Sequence, residues 1–131
     1  MIGLDTNILV RYIAQDDPIQ SPKATALIEN LSGDESGFIS LVAIVELVWV
    51  MERCYAATKV EVIAILDKLL RVRELCVENA DVVFNAVRSY ARSNADFADC
   101  LIERSGHRAN CKHTITFDAK AAKTAGMKLL A

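Results

Sequence analysis

Five acidic residues are hard to assign to an ordinary solvated surface: Asp5, Glu46, Asp96, Asp99 and Asp118. Asp5 follows the apolar run Met1–Leu4 and opens the polar cluster Asp5-Thr6-Asn7; Asp118 stands in the same relation to the stretch His113–Thr116. An Asp at such a junction is a favoured helix N-cap, stabilised by free backbone N–H groups and by the helix dipole. It is equally a carboxylate delivered to the end of a strand, where parallel sheets bind ligands. Both readings stay open. Glu46 is the one non-apolar residue between Leu41 and Met51. On a helix apolar nearly all round it is expected to point into or beside the core. A shielded carboxylate needs a positive partner, a proton or a metal ion. A salt bridge to Arg11 or Arg53 would satisfy it, and so would a role in a site. Asp96 and Asp99 have the spacing of a capping box with Asp in place of Glu at its second position. Asp99, set between Phe97-Ala98 and Cys100-Leu101-Ile102, is expected to face inward.

Acidic groups that converge without local Arg or Lys repel one another. Such a cluster is tolerable around a hard divalent cation, because Mg²⁺ and Mn²⁺ prefer carboxylate and water oxygens. A metal held this way can activate a bound water and neutralise charge on a phosphoryl group, which is nuclease chemistry.

The elements that would position these residues are short apolar strands alternating with helices. Strands are expected at 1–4, 38–39, 74–77, 113–116 and 128–130. Helices are expected at 8–14, from Ser21-Pro22 to Leu31, from Ser40 to Tyr55, after the capping box Thr58-x-x-Glu61, from Asn79 to Arg92, from Asp96 through Arg104, and at 118–125. No hairpin signal intervenes. The pattern predicts an α/β fold with a parallel sheet and helices on both faces, three layers in all. With 131 residues, the chain has the length of one domain, 1–131. Asp5 and Asp118 are then expected at one edge of the sheet.

Composition narrows the function classes. Hydrophobic residues reach 53% and charged residues 24%, which excludes a disordered chain. The net charge of −2 excludes a polycation, so contact with nucleic acid must be local. Residues 1–102 carry nine basic and fifteen acidic residues; residues 103–131 carry six basic and two acidic. The basic tail reads either as a solvated surface or as a phosphate-contacting rim. The four cysteines, at 54, 76, 100 and 111, form no C-x-x-C, and His107 and His113 do not complete a zinc site. They fall in apolar surroundings, where small buried thiols are common, and a reduced, cytoplasmic setting is expected. No basic leader or membrane-spanning run is evident.

Four segments together resemble the PIN-domain family. Leu4-Asp5-Thr6-Asn7-Ile8-Leu9 resembles its opening motif and Val45-Glu46-Leu47 its second acidic motif. Ala95-Asp96-Phe97-Ala98-Asp99-Cys100-Leu101-Ile102 is similar to the third, and Thr114-Ile115-Thr116-Phe117-Asp118 to the fourth. No single motif is specific; four in order over essentially the whole chain are. The small size resembles the VapC-type toxins of toxin–antitoxin pairs. The resemblance implies a metal-dependent endoribonuclease with Mg²⁺ or Mn²⁺ as cofactor. Asp5, Glu46, Asp99 and Asp118 match the acidic quartet, Asp96 an additional acidic position, and Asn7 and Thr116 polar residues that orient the carboxylates. Asp5 and Asp99 would be direct ligands, with Glu46 and Asp118 completing the site. Arg11, Arg104, Arg108, Lys112, Lys120 and Lys123 would hold RNA phosphates. Family members of this kind form homodimers and are silenced by an antitoxin protein. One departure is the segment Glu103-Arg104-Ser105-Gly106, where the family often has small residues.

Rival readings are weaker. A phosphoacceptor receiver domain needs paired acids after the first strand and a strand-end Lys, and neither is present. A nucleotide-binding module needs a Gly-rich loop after that strand, where Asp5-Thr6-Asn7 contains none. A catalytically inactive PIN fold used for RNA binding or scaffolding keeps every residue named above and is separated only by assay.

Overall fold

A computed structural model describes all of residues 1–131. The chain forms two compact units, Met1–Glu78 and Asn79–Ala131. In the first, β1 (Ile2–Gly3), β2 (Gly37–Ile39) and β3 (Leu75–Val77) make a parallel sheet in the order β1-β2-β3. Parallel neighbours cannot be joined by a tight turn. The crossovers are α1 (Thr6–Ala14) with α2 (Gln20–Glu29), and α3 (Leu41–Cys54) with α4 (Lys59–Arg71). β2 is central, and Gly37 is required there by space. A Cβ at Gly37 would lie 2.8 Å from Leu4 Cδ1 and 3.2 Å from Leu75 Cδ2. Leu9, Ile39, Leu47 and Leu66 are fully buried between sheet and helices.

The second unit contains α5 (Ala80–Arg92), α6 (Phe97–Arg108), β4 (Ile115–Thr116), α7 (Ala119–Thr124) and β5 (Lys128–Leu129). α5 packs on α6, with the Tyr90 and Phe97 rings edge to face at 5.8 Å. β4 and β5 pair in parallel across the short α7. Gly126, at φ 78°, supplies the left-handed turn into β5. The expected α/β architecture, a parallel sheet flanked by helices without hairpins, is what the chain adopts. The single sheet expected is two: β1 pairs in the first unit's sheet and β4 in the second unit's.

Several local expectations need correction. α2 starts at Gln20 rather than at a Ser21 cap. Asp17 takes over capping, its Oδ1 accepting from the N–H groups of Ile19 and Gln20 at 2.9 and 2.7 Å. These bonds hold the Asp17 carboxyl below the usual aspartate range. Ser21, freed from that task, donates its hydroxyl to the Arg11 carbonyl at 2.8 Å. Asn79 stands before α5 in the left-handed region without a side-chain cap bond. α6 runs on to Arg108, through Gly106, where a Cβ would come within 2.7 Å of Thr114 Oγ1. Only Cys100 is buried; Cys54, Cys76 and Cys111 are exposed, and none of the four forms a disulfide. Short polar-flanked helices and strands leave positions 54, 76 and 111 on outward faces, whatever the local hydrophobicity.

The helix that carries Glu46 is anchored twice. Ser40 Oγ accepts from Ala43 N–H at 3.1 Å, as expected, and Glu78, just after β3, accepts from Leu41 N–H at 2.8 Å. Ser40→Ala is expected to cost about 1 kcal/mol, measured by urea unfolding. Gly106→Ala is expected to destabilise despite alanine's better helix propensity, because the added methyl meets Thr114. A stabilised Gly106→Ala would show that Thr114 yields freely.

Candidate active site

Each acidic residue is set by the end of a strand or the face of a helix. Asp5 follows β1 in extended conformation and is the N-cap of α1, its Oδ1 accepting from Thr6 N–H at 2.7 Å. Its carboxylate is exposed. α3 packs against α1 and buries Ala43, Ile44, Leu47, Val48 and Met51 on one face. The opposite face carries Val42, Glu46, Trp49 and Arg53.

Glu46 is therefore exposed, contrary to the expectation that it points into or beside the core. The apolar count misled because α3 leaves Val42 and Trp49 in solvent, at 75% and 54% exposure, instead of burying its whole circumference. Of the two ways to satisfy it that the sequence left open, the salt bridge to Arg11 or Arg53 does not form. Arg11 is bonded to Gln20 Oε1 at 2.8 Å and to Asp16 Oδ1 at 3.4 Å, and Arg53 lies over the Trp49 ring. The first unit brings Asp5 and Glu46 into one cleft of about 570 Å³, together with Asn7, Arg11, Trp49 and Tyr55. Tyr55 donates its hydroxyl to Asp16 at 2.8 Å, a bond that pushes the phenol above its usual range. Trp49 and Tyr55 were not singled out from sequence, although an aromatic three residues after Glu46 shares its helix face.

In the second unit, Asp96, Asp99 and Asp118 stand close enough to feel one another's charge. Asp96 is the N-cap residue of α6 and makes no side-chain cap bond, so the expected capping box with Asp99 does not form. Its carboxylate is exposed and lies 3.8 Å from Lys120 Nζ. Asp99, in the first turn of α6, is half-buried, close to the inward setting expected. Asp118 caps α7, its Oδ1 accepting from Lys120 and Ala121 N–H at 2.9 and 3.3 Å. Thr116 Oγ1 accepts from the Asp118 backbone N–H at 3.0 Å, so it steadies the backbone of that residue rather than its carboxylate.

The basic residues are partly engaged within the second unit. Arg104 makes a two-pronged pair with Glu103 at 2.6 and 3.0 Å, and Arg108 pairs with Asp81. Lys112 and Lys123 make no ion pair. In neither unit do three or more His, Cys, Asp or Glu side chains stand together closely enough to hold a metal ion. The donor chemistry is nevertheless that of a hard-cation site, with carboxylates but no thiolate or imidazole set.

Burial first, then Asp96 and Asp118, hold the Asp99 carboxyl above the usual aspartate range, while Lys120 pulls the other way. A raised acid binds its proton more tightly folded than unfolded. Stability therefore falls as pH rises from the ordinary value of 3.8 through the raised value, and the charged form remains unfavourable at neutral pH. Asp99→Asn is expected to raise the melting temperature in metal-free buffer at neutral pH and to lose that advantage below pH 3.8. A lower melting temperature at neutral pH would mean that a favourable contact anchors the carboxylate.

Comparison with protein families matches the PIN domain over residues 2–127. No curated protein is significantly similar to the chain. PIN domains are generally nucleases, typically use divalent metals and generally bind RNA. Strand-end carboxylates in both units and a family match running through all four acidic segments agree: the chain belongs to the PIN domain family.

Proposed function

We propose that this protein is a metal-dependent endoribonuclease that hydrolyses RNA phosphodiester bonds, with Asp5, Glu46, Asp99 and Asp118 as its catalytic carboxylates. The observation that carries this reading is the cleft in which Asp5 and Glu46 both stand without an ion pair. The mutual repulsion around Asp99 supports it, since a divalent cation is what relieves such crowding. Motif resemblance assigns Asp5 and Asp99 as the residues that would hold Mg²⁺ or Mn²⁺, with Asp96 as an additional acidic group. A bound ion would supply charge neutralisation at the phosphoryl group and a water of lowered pKa. Glu46 and Asp118 would complete the site and align the attacking water. Asn7 lines the cleft beside Asp5, and Thr116 steadies Asp118. Lys112 and Lys123 contact phosphates. Arg11, Lys120 and Arg108 join them by exchanging their carboxylate partners, since exposed pairs are worth only about 0–1 kcal/mol. Arg104 leaves its Glu103 partner in the same way, against stronger two-pronged bonding.

The two compact units act as a single PIN domain spanning 1–131, a reading supported by the family match through both. The biological role is that of a toxin in a type II toxin–antitoxin pair, working as a cytoplasmic homodimer and silenced by a cognate antitoxin. Motif resemblance supports the toxin role, and four cysteines that form no disulfide support the compartment. No helix is long and apolar enough to cross a membrane.

The purified protein is expected to cut single-stranded RNA with Mg²⁺ or Mn²⁺ and to stop in EDTA. Asp99→Asn and Glu46→Gln are expected to stay folded and to lose cleavage by about 100-fold or more. Because Glu46 is exposed and makes no ion pair, Glu46→Gln should leave the melting temperature nearly unchanged. RNA binding without metal-dependent cleavage would identify an inactive RNA-binding module instead. Induced expression is expected to arrest bacterial growth, and Asp99→Asn to relieve the arrest.

A further inference from the structure

Trp49 is the only tryptophan in the chain, and more than half of its surface lies in solvent. A single exposed apolar residue is ordinary. The surroundings of this one are not. Glu46, Trp49 and Arg53 fall at helical spacing on the outward face of α3, opposite the buried stripe of Ile44, Leu47 and Met51. Trp49 therefore does not pack the core. It lines the same cleft as Asp5 and Glu46, with Arg11 also in the wall. Arg53 stacks on the indole, its guanidinium carbon 5.8 Å from the ring centroid, and it makes no salt bridge.

The cleft, with Arg53 beside its indole, thus offers three chemistries side by side: carboxylates, a flat apolar ring and guanidinium groups. A nucleotide unit of single-stranded nucleic acid presents matching parts: a base with an exposed π-face and a phosphate. Unpaired bases stack on aromatic side chains, and arginine holds phosphates by two-pronged hydrogen bonds. A base in a duplex is already stacked on both sides and cannot use the ring. The one Arg53 contact is no obstacle, because an exposed cation–π contact is weaker than base stacking and the guanidinium is free to move to the adjoining phosphate.

We propose that Trp49 is a nucleobase-stacking platform that seats an unpaired base of the RNA substrate in the Asp5–Glu46 cleft, with Arg53 on the neighbouring phosphate. This rests on the ribonuclease reading and adds to it a residue that selects single-stranded RNA. Trp49 binds substrate and takes no part in bond breaking.

The lone tryptophan makes the test direct, since all indole fluorescence of the full chain reports this residue. In EDTA, oligouridylate is expected to quench it saturably. An abasic ribose-phosphate oligomer of equal length and a blunt RNA duplex should bind, if at all, without quenching. In cleavage assays with Mg²⁺, Trp49→Ala should raise KM by about 5- to 150-fold with kcat little changed, and Trp49→Phe should restore most of the loss. Binding of oligouridylate seen by anisotropy without quenching overturns the proposal. So does an unchanged KM in Trp49→Ala. An indole signal that varies with protein concentration and ignores RNA would assign the ring to a second copy of this chain, and overturns it as well. Quenching without cleavage would support the platform while refuting the ribonuclease reading; cleavage without quenching would do the reverse. Neither cleavage nor binding overturns both.

Discussion

Very short parallel strands impose the constraint on which the rest depends. Strands of two or three residues, paired only in parallel, must hand the chain to a helix as soon as they end. Each such junction presents first-turn N–H groups that need acceptors. β1 gives way to α1 at Asp5, β2 to α3 at Ser40 and β4 to α7 at Asp118. Capping and the proposed catalysis therefore ask for the same residue type at the same place. The cap bonds use one oxygen of each carboxylate. Asp118 meets the Lys120 and Ala121 N–H groups through Oδ1, and Asp5 meets Thr6 N–H through Oδ1. In both, the second carboxylate oxygen makes none of these cap bonds. Glu78 also follows a strand and accepts from Leu41 N–H through Oε1, which anchors the start of α3.

Much of the fold was legible because it is encoded locally. Alternation of short apolar runs with helical patterns gave the parallel α/β class. Ser40 and the Thr58–Glu61 box mark true helix starts, with both reciprocal bonds of the box formed. What could not be read is what depends on partners distant in sequence. Nothing near Leu41 announces that Glu78 caps it from 37 residues away. Ser21 looked like a cap because Pro22 follows it, yet Asp17 takes the N–H groups of Ile19 and Gln20, while Ser21 Oγ accepts only from Asp17 N–H, ahead of the helix. The end of α6 was hidden because Gly106 reads as a stop, whereas its missing side chain makes room for Thr114.

The candidate site's residue types could be read from the sequence, their environment less so. Glu46 stood out as the lone charge in an apolar segment, and the burial expected of it was wrong. Hydrophobic composition tells how much of a helix could be buried; contacts with α1 decide which side is. The outward side retains Val42 and Trp49, and an exposed indole beside two carboxylates carries more functional information than buried aliphatics would. Charge counting over residues 103–131 had the opposite defect. The excess of basic residues is real, but Arg108 and Lys120 face Asp81 and Asp96, acids outside that segment, so the sum overstates the field open to a polyanion.

Lys120 shows what the protein's own cations can and cannot do for the acidic cluster. It is placed to offset both Asp96, at 3.8 Å, and the charge on Asp99. Yet its side chain is 60% exposed, so water screens a single charge carried on a flexible stem. The outcome is visible in Asp99, which stays raised because burial and two neighbouring carboxylates together outweigh one solvated ammonium. A fully paired arrangement, such as Arg104 with Glu103, would have relieved the repulsion and removed the carboxylate from use. Leaving Asp99 unrelieved keeps an acidic group that is destabilised when charged and gains most from a second positive charge arriving from solution. A loose lysine is compatible with that exchange: a divalent ion can displace it without breaking a buried bond.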